Sequence, residues 1–433
     1  MSSSASRLMK EEREVASQTH PVVWAVPDEN NILLWRAMIL GPPLTPYSLG
    51  MFHFNMKFPS DYPNSAPSVQ ITTTDGGRVR FNPNLYASGR VCLSILGTWR
   101  AKHPGEQWSA VQSVQSVLLS IQSLMHEAPY HNEPGFEVDD GSGDVLRYNE
   151  KIAHETLRVA VCDVMQDTLE RRAATSNGVG AAFADSRKQL FLMYFHLYLA
   201  EVDRLSQSDT AREKSDFKRM PFESPSNGIT GSFQWSVLRS RLTALHAKLM
   251  EEVEEWRAWG AAQTQLVQEG WDSSVNSCMH HLRQEEERLR GDGVDGTSIG
   301  SEHTNTSVWV ATIFGPAETL WDGGMFQVEL VFPPNFPDSP PFVRFVTPIF
   351  HPHINEQGVP YLRQLITWHC CEPKQRTLHA LLHALVSLLA TSPSPEPVTH
   401  LDARAAALYF SSTDGQKEYN REVKKRVQRS VEM

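Results

Sequence analysis

Arg80-Phe-Asn-Pro-Asn-Leu-Tyr-Ala-Ser-Gly-Arg90, running on into Val91-Cys92-Leu-Ser-Ile-Leu96, is the stretch on which the reading of this chain turns. It places an Asn-Pro-Asn turn eight residues before a lone cysteine, and an aromatic residue, Trp99, seven residues after it. Pro fixes its own φ and Asn bonds its own backbone, so both residues punctuate the chain here. Cys92 follows a Gly-Arg-Val segment outside any regular period, which suits an exposed shelf. The competing reading is a small buried apolar residue, the usual state of a free cysteine. A cysteine nucleophile acts as the thiolate and needs a donor for the oxyanion it generates. The Asn84 amide is the candidate donor, or the brace of the loop that supplies one.

Outward from this stretch the apolar pattern defines elements. Segments 31–41, 50–58 and 68–74 alternate and are separated by Gly-Pro and Tyr-Pro punctuation, which predicts an antiparallel meander. Residues 109–127 read as a core helix with Val111, Val114, Val117, Leu118, Ile121 and Leu124 on one face. Residues 5–18 read as an amphipathic helix, with Leu8, Met9 and Val15 among charged neighbours. Past residue 138, helical patterns follow at about 148–172, 186–206 and 234–262. The segment from Asp209 to Thr230 reads as a linker or long loop, and 291–306 as a flexible, exposed break.

The chain also repeats itself. Trp35, Gly41-Pro42, Gly50-Met51-Phe52, Phe58-Pro59, Tyr62-Pro63 and Pro67 recur as Trp309, Gly315-Pro316, Gly324-Met325-Phe326, Phe332-Pro333, Phe336-Pro337 and Pro341, at a constant offset of 274. A five-residue shortening then brings Asn82-Pro83-Asn84 onto His351-Pro352-His353, and Gly89 and Trp99 onto Gly358 and Trp368. A period this long marks a duplicated domain rather than a solenoid. The shortened offset carries Cys92 onto Tyr361, whose phenol ordinarily titrates near ~10 and cannot form a readily exchanged thioester. His353 stands where the first copy has Asn84.

Bulk properties narrow the function classes. At 433 residues the chain is long enough for more than one core. A net charge of -10 argues against a nucleic-acid binder, and no Lys/Arg run suggests a phosphate-tracking face. The N-terminal Met-Ser-Ser-Ser-Ala has no apolar signal core, and the most apolar run, Leu190 to Ala200, is about half the ~20 residues a bilayer span needs. Five irregularly spaced cysteines fit a reducing compartment better than a disulfide framework. His351, His353, His369, Cys370 and Cys371 could all ligate zinc, but adjacent cysteines suit a tetrahedral site poorly, and no metal is expected.

The Asn-Pro-Asn turn, Cys92 and both flanks, through Pro129-Tyr-His-Asn-Glu-Pro-Gly-Phe-Glu137, resemble the ubiquitin-conjugating enzymes, in particular their Z branch, over roughly residues 5–165. In that family a cysteine carries ubiquitin as a thioester, and an Asn held by a His-Pro-Asn turn supports its transfer. Asn84 matches that Asn, while Asn82 replaces the usual His. The resemblance implies an α+β architecture: a catalytic ubiquitin-conjugating domain at 1–137, a mostly helical extension at 138–262, and a degenerate, silent copy at 263–433. It further implies that Cys92 accepts ubiquitin or a ubiquitin-like modifier from an activating enzyme and passes it to a substrate lysine or a ligase. No cofactor is required by that step.

The same resemblance assigns residues beyond Cys92 and Asn84. His131 and Asn132, with Tyr130 and Glu133 behind them, lie near the mouth of the family's site, where the His131 imidazole can act as a base near neutral pH. Otherwise His131 bonds its own loop. Arg7, Lys10 and Arg13 match the surface that docks the activating enzyme, the alternative being a solvated charged face. Phe58, Pro59, Pro63 and Trp99 match the ligase side in position. The implied partners are the modifier, its activating enzyme, a ligase and protein substrates, with neither nucleic acid nor membrane. The implied location is the cytoplasm, with the nucleus also open. A reading from another class remains: a noncatalytic scaffold that binds ubiquitin or a ligase through two conjugating-type domains. Retention of Cys92 and Asn84 weighs against it, and loss of both in the second copy shows that such drift occurs in this chain.

Overall fold

The computed structural model describes residues 3–18, 21–100, 103–174, 183–270 and 276–432. The chain divides into two compact units, Met1–Ala182 with Tyr198–Leu245, and Phe183–Leu197 with His246–Met433. In the first, helix α1 (Ser3–Ala16) precedes β1 (Val23–Asp28), β2 (Asn31–Leu40), β3 (Met51–Lys57) and β4 (Ser68–Ile71), which pair antiparallel in that order. Helix α2 (Val114–Ser123) follows, and then α3 (Asp144–Glu155), which continues through a π-helical stretch into α4 (Val164–Ala174). Helices α5 (Ala184–Ser206) and α6 (Trp235–Gln268) contribute residues to both units. The second unit adds α7 (Ser277–Gly291), β5 (Thr297–Glu302), β6 (Asn305–Phe314), β7 (Met325–Val331) and β8 (Phe342–Phe345). The short α8 (Arg363–Ile366), α9 (Leu378–Ala390), α10 (Ala403–Tyr409) and α11 (Thr413–Glu432) complete it. No described helix is long and apolar enough to cross a membrane.

The sheets form where the alternation predicts them. In β3, Phe52, Phe54 and Met56 are buried on one face and pair with Ile39, Ala37 and Trp35 of β2. Phe326, Val328 and Leu330 of β7 pair with Ile313, Ala311 and Trp309 of β6, so the 274 offset holds pair by pair. The duplication extends to helices that periodicity alone had left unassigned. Glu11 of α1 accepts from the Val114 amide at 2.7 Å, and Glu285 of α7 accepts from the Leu378 amide at 2.7 Å. Each carboxylate thus satisfies an orphan amide at the start of the following core helix.

Four expectations change. Helix α2 is shorter than 109–127: Ser113 caps it through the Ser116 amide, and Val111 is 88% exposed rather than part of the core face. The 291–306 stretch is the end of α7, strand β5 and the start of β6, because the ladder to β6 supplies the order that Thr-Ser-Ile-Gly-Ser lacks locally. The 209–230 segment is packed: Met220 and Ile229 are buried in the first core, and Phe217 and Phe222 lie against it. Glu223 forms a fully buried ion pair with Lys151 of α3 at 2.6 Å. Finally, Trp368 corresponds to Trp108 and not to Trp99. The Trp108 indole donates to the Pro63 carbonyl at 2.8 Å, and the Trp368 indole to the Pro337 carbonyl at 2.7 Å.

Candidate active site

The Asn-Pro-Asn turn is held from both sides. Asn82 Nδ2 donates to the Tyr47 hydroxyl at 2.8 Å and to the Leu124 carbonyl at 2.9 Å, which anchors the turn to the end of α2. Its Oδ1 accepts from the Asn84 amide at 2.9 Å and from Asn132 Nδ2 at 3.3 Å. The second unit shows what a histidine does at this position: His351 Nδ1 accepts from the His353 amide at 3.0 Å. An amide oxygen and an imidazole nitrogen serve the same backbone N–H, so Asn82 is a working replacement for His.

Asn84 and Cys92 clasp each other. The Cys92 amide donates to the Asn84 carbonyl at 2.9 Å, and Asn84 Nδ2 donates to the Cys92 carbonyl at 2.9 Å. The corresponding backbone bond in the second unit runs from Tyr361 to His353 at 2.8 Å, which places the tyrosine at the cysteine's position. Gly89 and Gly358 have positive φ in the turns leading to these residues, and the Ile71 and Phe345 amides donate to their carbonyls. A Cβ at Gly358 would lie 2.1 Å from the Phe345 carbonyl oxygen, so glycine is required there on both counts.

The expected exposed shelf is corrected. Cys92 is only 1% exposed, and the Tyr86 and Arg90 side chains reach its sulfur. Burial pushes the Cys92 thiol above its ordinary value, while Arg90, Tyr86 and Arg80 pull in the opposite direction and do not offset it. Arg90, itself exposed, also donates to the Thr98 carbonyl at 3.3 Å and faces the Tyr86 ring, so the cover over the thiol includes a side chain at the surface.

The other predicted residues are placed as follows. His131 is half-buried in a turn at Pro129–Asn132, and its Nδ1 pairs with the Phe136 carbonyl at 2.7 Å. It is Asn132, not His131, that joins the Asn82 network, and His126 Nε2 in turn bonds Asn132 Oδ1 at 2.9 Å. On α1, Lys10 and Arg13 are exposed, whereas Arg7 is engaged with Glu11 and with the Gln112 carbonyl. Phe58 is corrected as a docking contact: at 2% exposure it packs edge-on against Trp35 and Tyr62 in the core. Pro59, Pro63 and Trp99 keep part of their surface. Sequence reasoning missed Arg80, Tyr47 and Phe222. Arg80 alone had a local signal, its place two residues before the turn.

Comparison with known proteins agrees with this geometry. The model of the ubiquitin-conjugating enzyme family matches residues 7–141 and again 281–427. Ubiquitin-conjugating enzyme E2 Z of Xenopus tropicalis is 39% identical over 246 residues, covering 57% of this chain and 72% of that protein. The Homo sapiens protein of the same name is 40% identical over 254 residues, 58% of this chain and 65% of that one. The Homo sapiens dual E2 ubiquitin-conjugating enzyme/E3 ubiquitin-protein ligase BIRC6 is 42% identical over 146 residues, 32% of this chain and 3% of that protein. With two matched segments that carry the same sheet, turn and helix contacts, the chain belongs to the ubiquitin-conjugating enzyme family.

Proposed function

We propose that this chain accepts ubiquitin, or a ubiquitin-like modifier, as a thioester on Cys92 and transfers it to a lysine or to a ligase cysteine. The observation that supports this is the Asn84–Cys92 clasp in the first unit, set against Tyr361 in the matching backbone position of the second. The Cys92 thiolate attacks the carbonyl carbon of the activating enzyme's thioester, and that enzyme's thiolate leaves. A lysine amine then attacks the Cys92 thioester, loses its proton to a base, and Cys92 leaves as thiolate. Asn84 braces the Cys92 loop and supplies, or aligns, the donor for the oxyanion formed in between. His131 Nε2 is the imidazole atom left for a base, since Nδ1 is committed to Phe136. Lys10 and Arg13 contact the activating enzyme, with Arg7 shaping their helix, and Pro59, Pro63 and Trp99 lie on the ligase side. The domain at 1–137 performs the chemistry, the mostly helical extension at 138–262 follows it in sequence, and the 263–433 copy is silent and binds.

The test is loading of the full chain with activating enzyme, ATP and a panel of modifiers, read on non-reducing gels. A reductant-sensitive adduct of one modifier is expected, becoming reductant-resistant or absent in Cys92→Ser. A normal labile adduct in Cys92→Ser, or none in the parent with any modifier, overturns the assignment; the latter would leave the scaffold reading.

A further inference from the structure

Arg80 is 3% exposed, an unusual place for a guanidinium, which is costly to bury unless its donors are satisfied. Its Nη2 donates to the Pro83 carbonyl at 2.7 Å and to Glu133 Oε2 at 2.9 Å. Its Nη1 lies 3.5 Å from the Phe222 carbonyl, and its cation faces the Tyr86 and Phe222 rings at 4.7 and 5.6 Å. These partners come from three stretches remote in sequence: the turn before Cys92, the loop after Tyr130, and the segment that follows α5. All of them lie within the first unit.

The Pro83 contact bears directly on Asn84. The Pro83 carbonyl and the Asn84 N–H belong to one planar peptide group. The ring fixes φ of Pro83, so rotation about its ψ is the soft coordinate that orients this plane. Arg80 holds the plane by its oxygen, and Asn82 Oδ1 holds it by its N–H at 2.9 Å. The Asn84 side chain leaves from the next atom and ends on the Cys92 carbonyl. A change at Phe222 or Glu133 therefore reaches Asn84 through a single cation.

We propose that Arg80 is a positioning residue for the transfer step: it sets the peptide plane that aims the Asn84 amide, and it ties that setting to Glu133 and to the Met220–Ile229 segment. The proposal rests on the thioester reading above. A lysine at 80 could reach Pro83 or Glu133, but a compact ammonium lacks the planar fork that serves several directions at once.

The test uses the full chain as parent, Arg80→Met, Arg80→Lys, Asn84→Ala and the double variant Arg80→Met/Asn84→Ala. Each is loaded, and single-turnover discharge to free lysine is then followed across lysine concentrations. Arg80→Met should still load, with discharge at saturating lysine slowed about 10-fold and the half-saturating lysine concentration little changed. Arg80→Lys should be intermediate. In the Asn84→Ala background Arg80→Met should slow discharge much less than it does in the parent, because it acts chiefly through Asn84. Parent-like discharge in folded Arg80→Met, or an undiminished further slowing in the double variant, overturns the proposal. If Arg80→Met does not fold, Arg80→Lys and Glu133→Gln decide it: slowed discharge in both supports the role, and parent rates in both or either overturn it. Failure of the parent to load overturns the thioester reading itself, and is seen before any variant is compared.

Discussion

The Asn84 side-chain amide rests on the carbonyl of Cys92 at 2.9 Å, the residue whose thiol it is proposed to serve. In the resting chain Asn84 is thus a brace, and deleting its amide removes one of the two bonds of the Asn84–Cys92 clasp as well as a donor. Asn84→Ala should therefore load, yet discharge to free lysine more slowly, by up to the roughly 10²–10³-fold seen when one oxyanion donor is removed from other enzymes. Equal single-turnover discharge rates in the folded variant and parent would reduce Asn84 to a turn residue.

Reactivity of Cys92 should climb with pH over a range above that of an ordinary thiol. Only the thiolate reacts, and burial raises this thiol's pKa. Arg90→Ala removes a cation that favours the thiolate, so its profile should move further up the pH scale. Alkylation at Cys92, followed by peptide mass spectrometry against pH, measures both. Cys162 and Cys278, buried and pushed up to about 12, should lag behind it. A profile for Arg90→Ala shifted to lower pH would show that Arg90 acts as a cover and not as an electrostatic partner.

Glu223→Ala should loosen the segment that ends at Ile229. Lys151 Nζ lies 2.6 and 2.7 Å from the two Glu223 oxygens and has no exposed side-chain surface. Removing the carboxylate strands a buried ammonium, at a cost of about 3–5 kcal/mol in comparable pairs. Faster amide exchange across Met220–Ile229 and a lower denaturation midpoint are expected, with recovery in Lys151→Met/Glu223→Met. An unchanged midpoint in Glu223→Ala would show that the pair contributes nothing net.

The second unit should weaken in acid. Burial lowers His351 to about 3 and His369 to about 4, while both protonate near ~6.5 in an unfolded chain. Between those values the unfolded state binds more protons, so stability is full above pH ~6.5 and declines as pH falls toward ~4. His351→Asn keeps an acceptor for the His353 amide, as Asn82 does for Asn84, and removes one titration. Its denaturation midpoint should depend less steeply on pH between 7 and 5 than the parent's. A slope as steep as the parent's would exclude His351 as a contributor.

Much of the fold was legible because its signals are local. Alternation in Phe52, Phe54 and Met56 marked β3, and the repeat carried that assignment to Phe326, Val328 and Leu330. Strand β1 escaped because Val23, Trp24 and Ala25 are buried consecutively and Pro27 interrupts the pattern, which an edge strand tolerates. Helix α7 could have been found by carrying Glu11 forward 274 residues to Glu285.

By itself the sequence determined the duplicated meander, the Asn-Pro-Asn turn ahead of Cys92, and the exchange of cysteine for tyrosine at 361, since each depends on residue type and spacing along the chain. Only the tertiary structure decided that Cys92 is covered, that Phe58 is core, and that Arg80 gathers Pro83, Glu133 and Phe222. The physical reason lies in sequence distance. Glu133 and Phe222 stand 53 and 142 residues from Arg80, and no local period records a contact whose energy exists only after the chain has closed the loops between them.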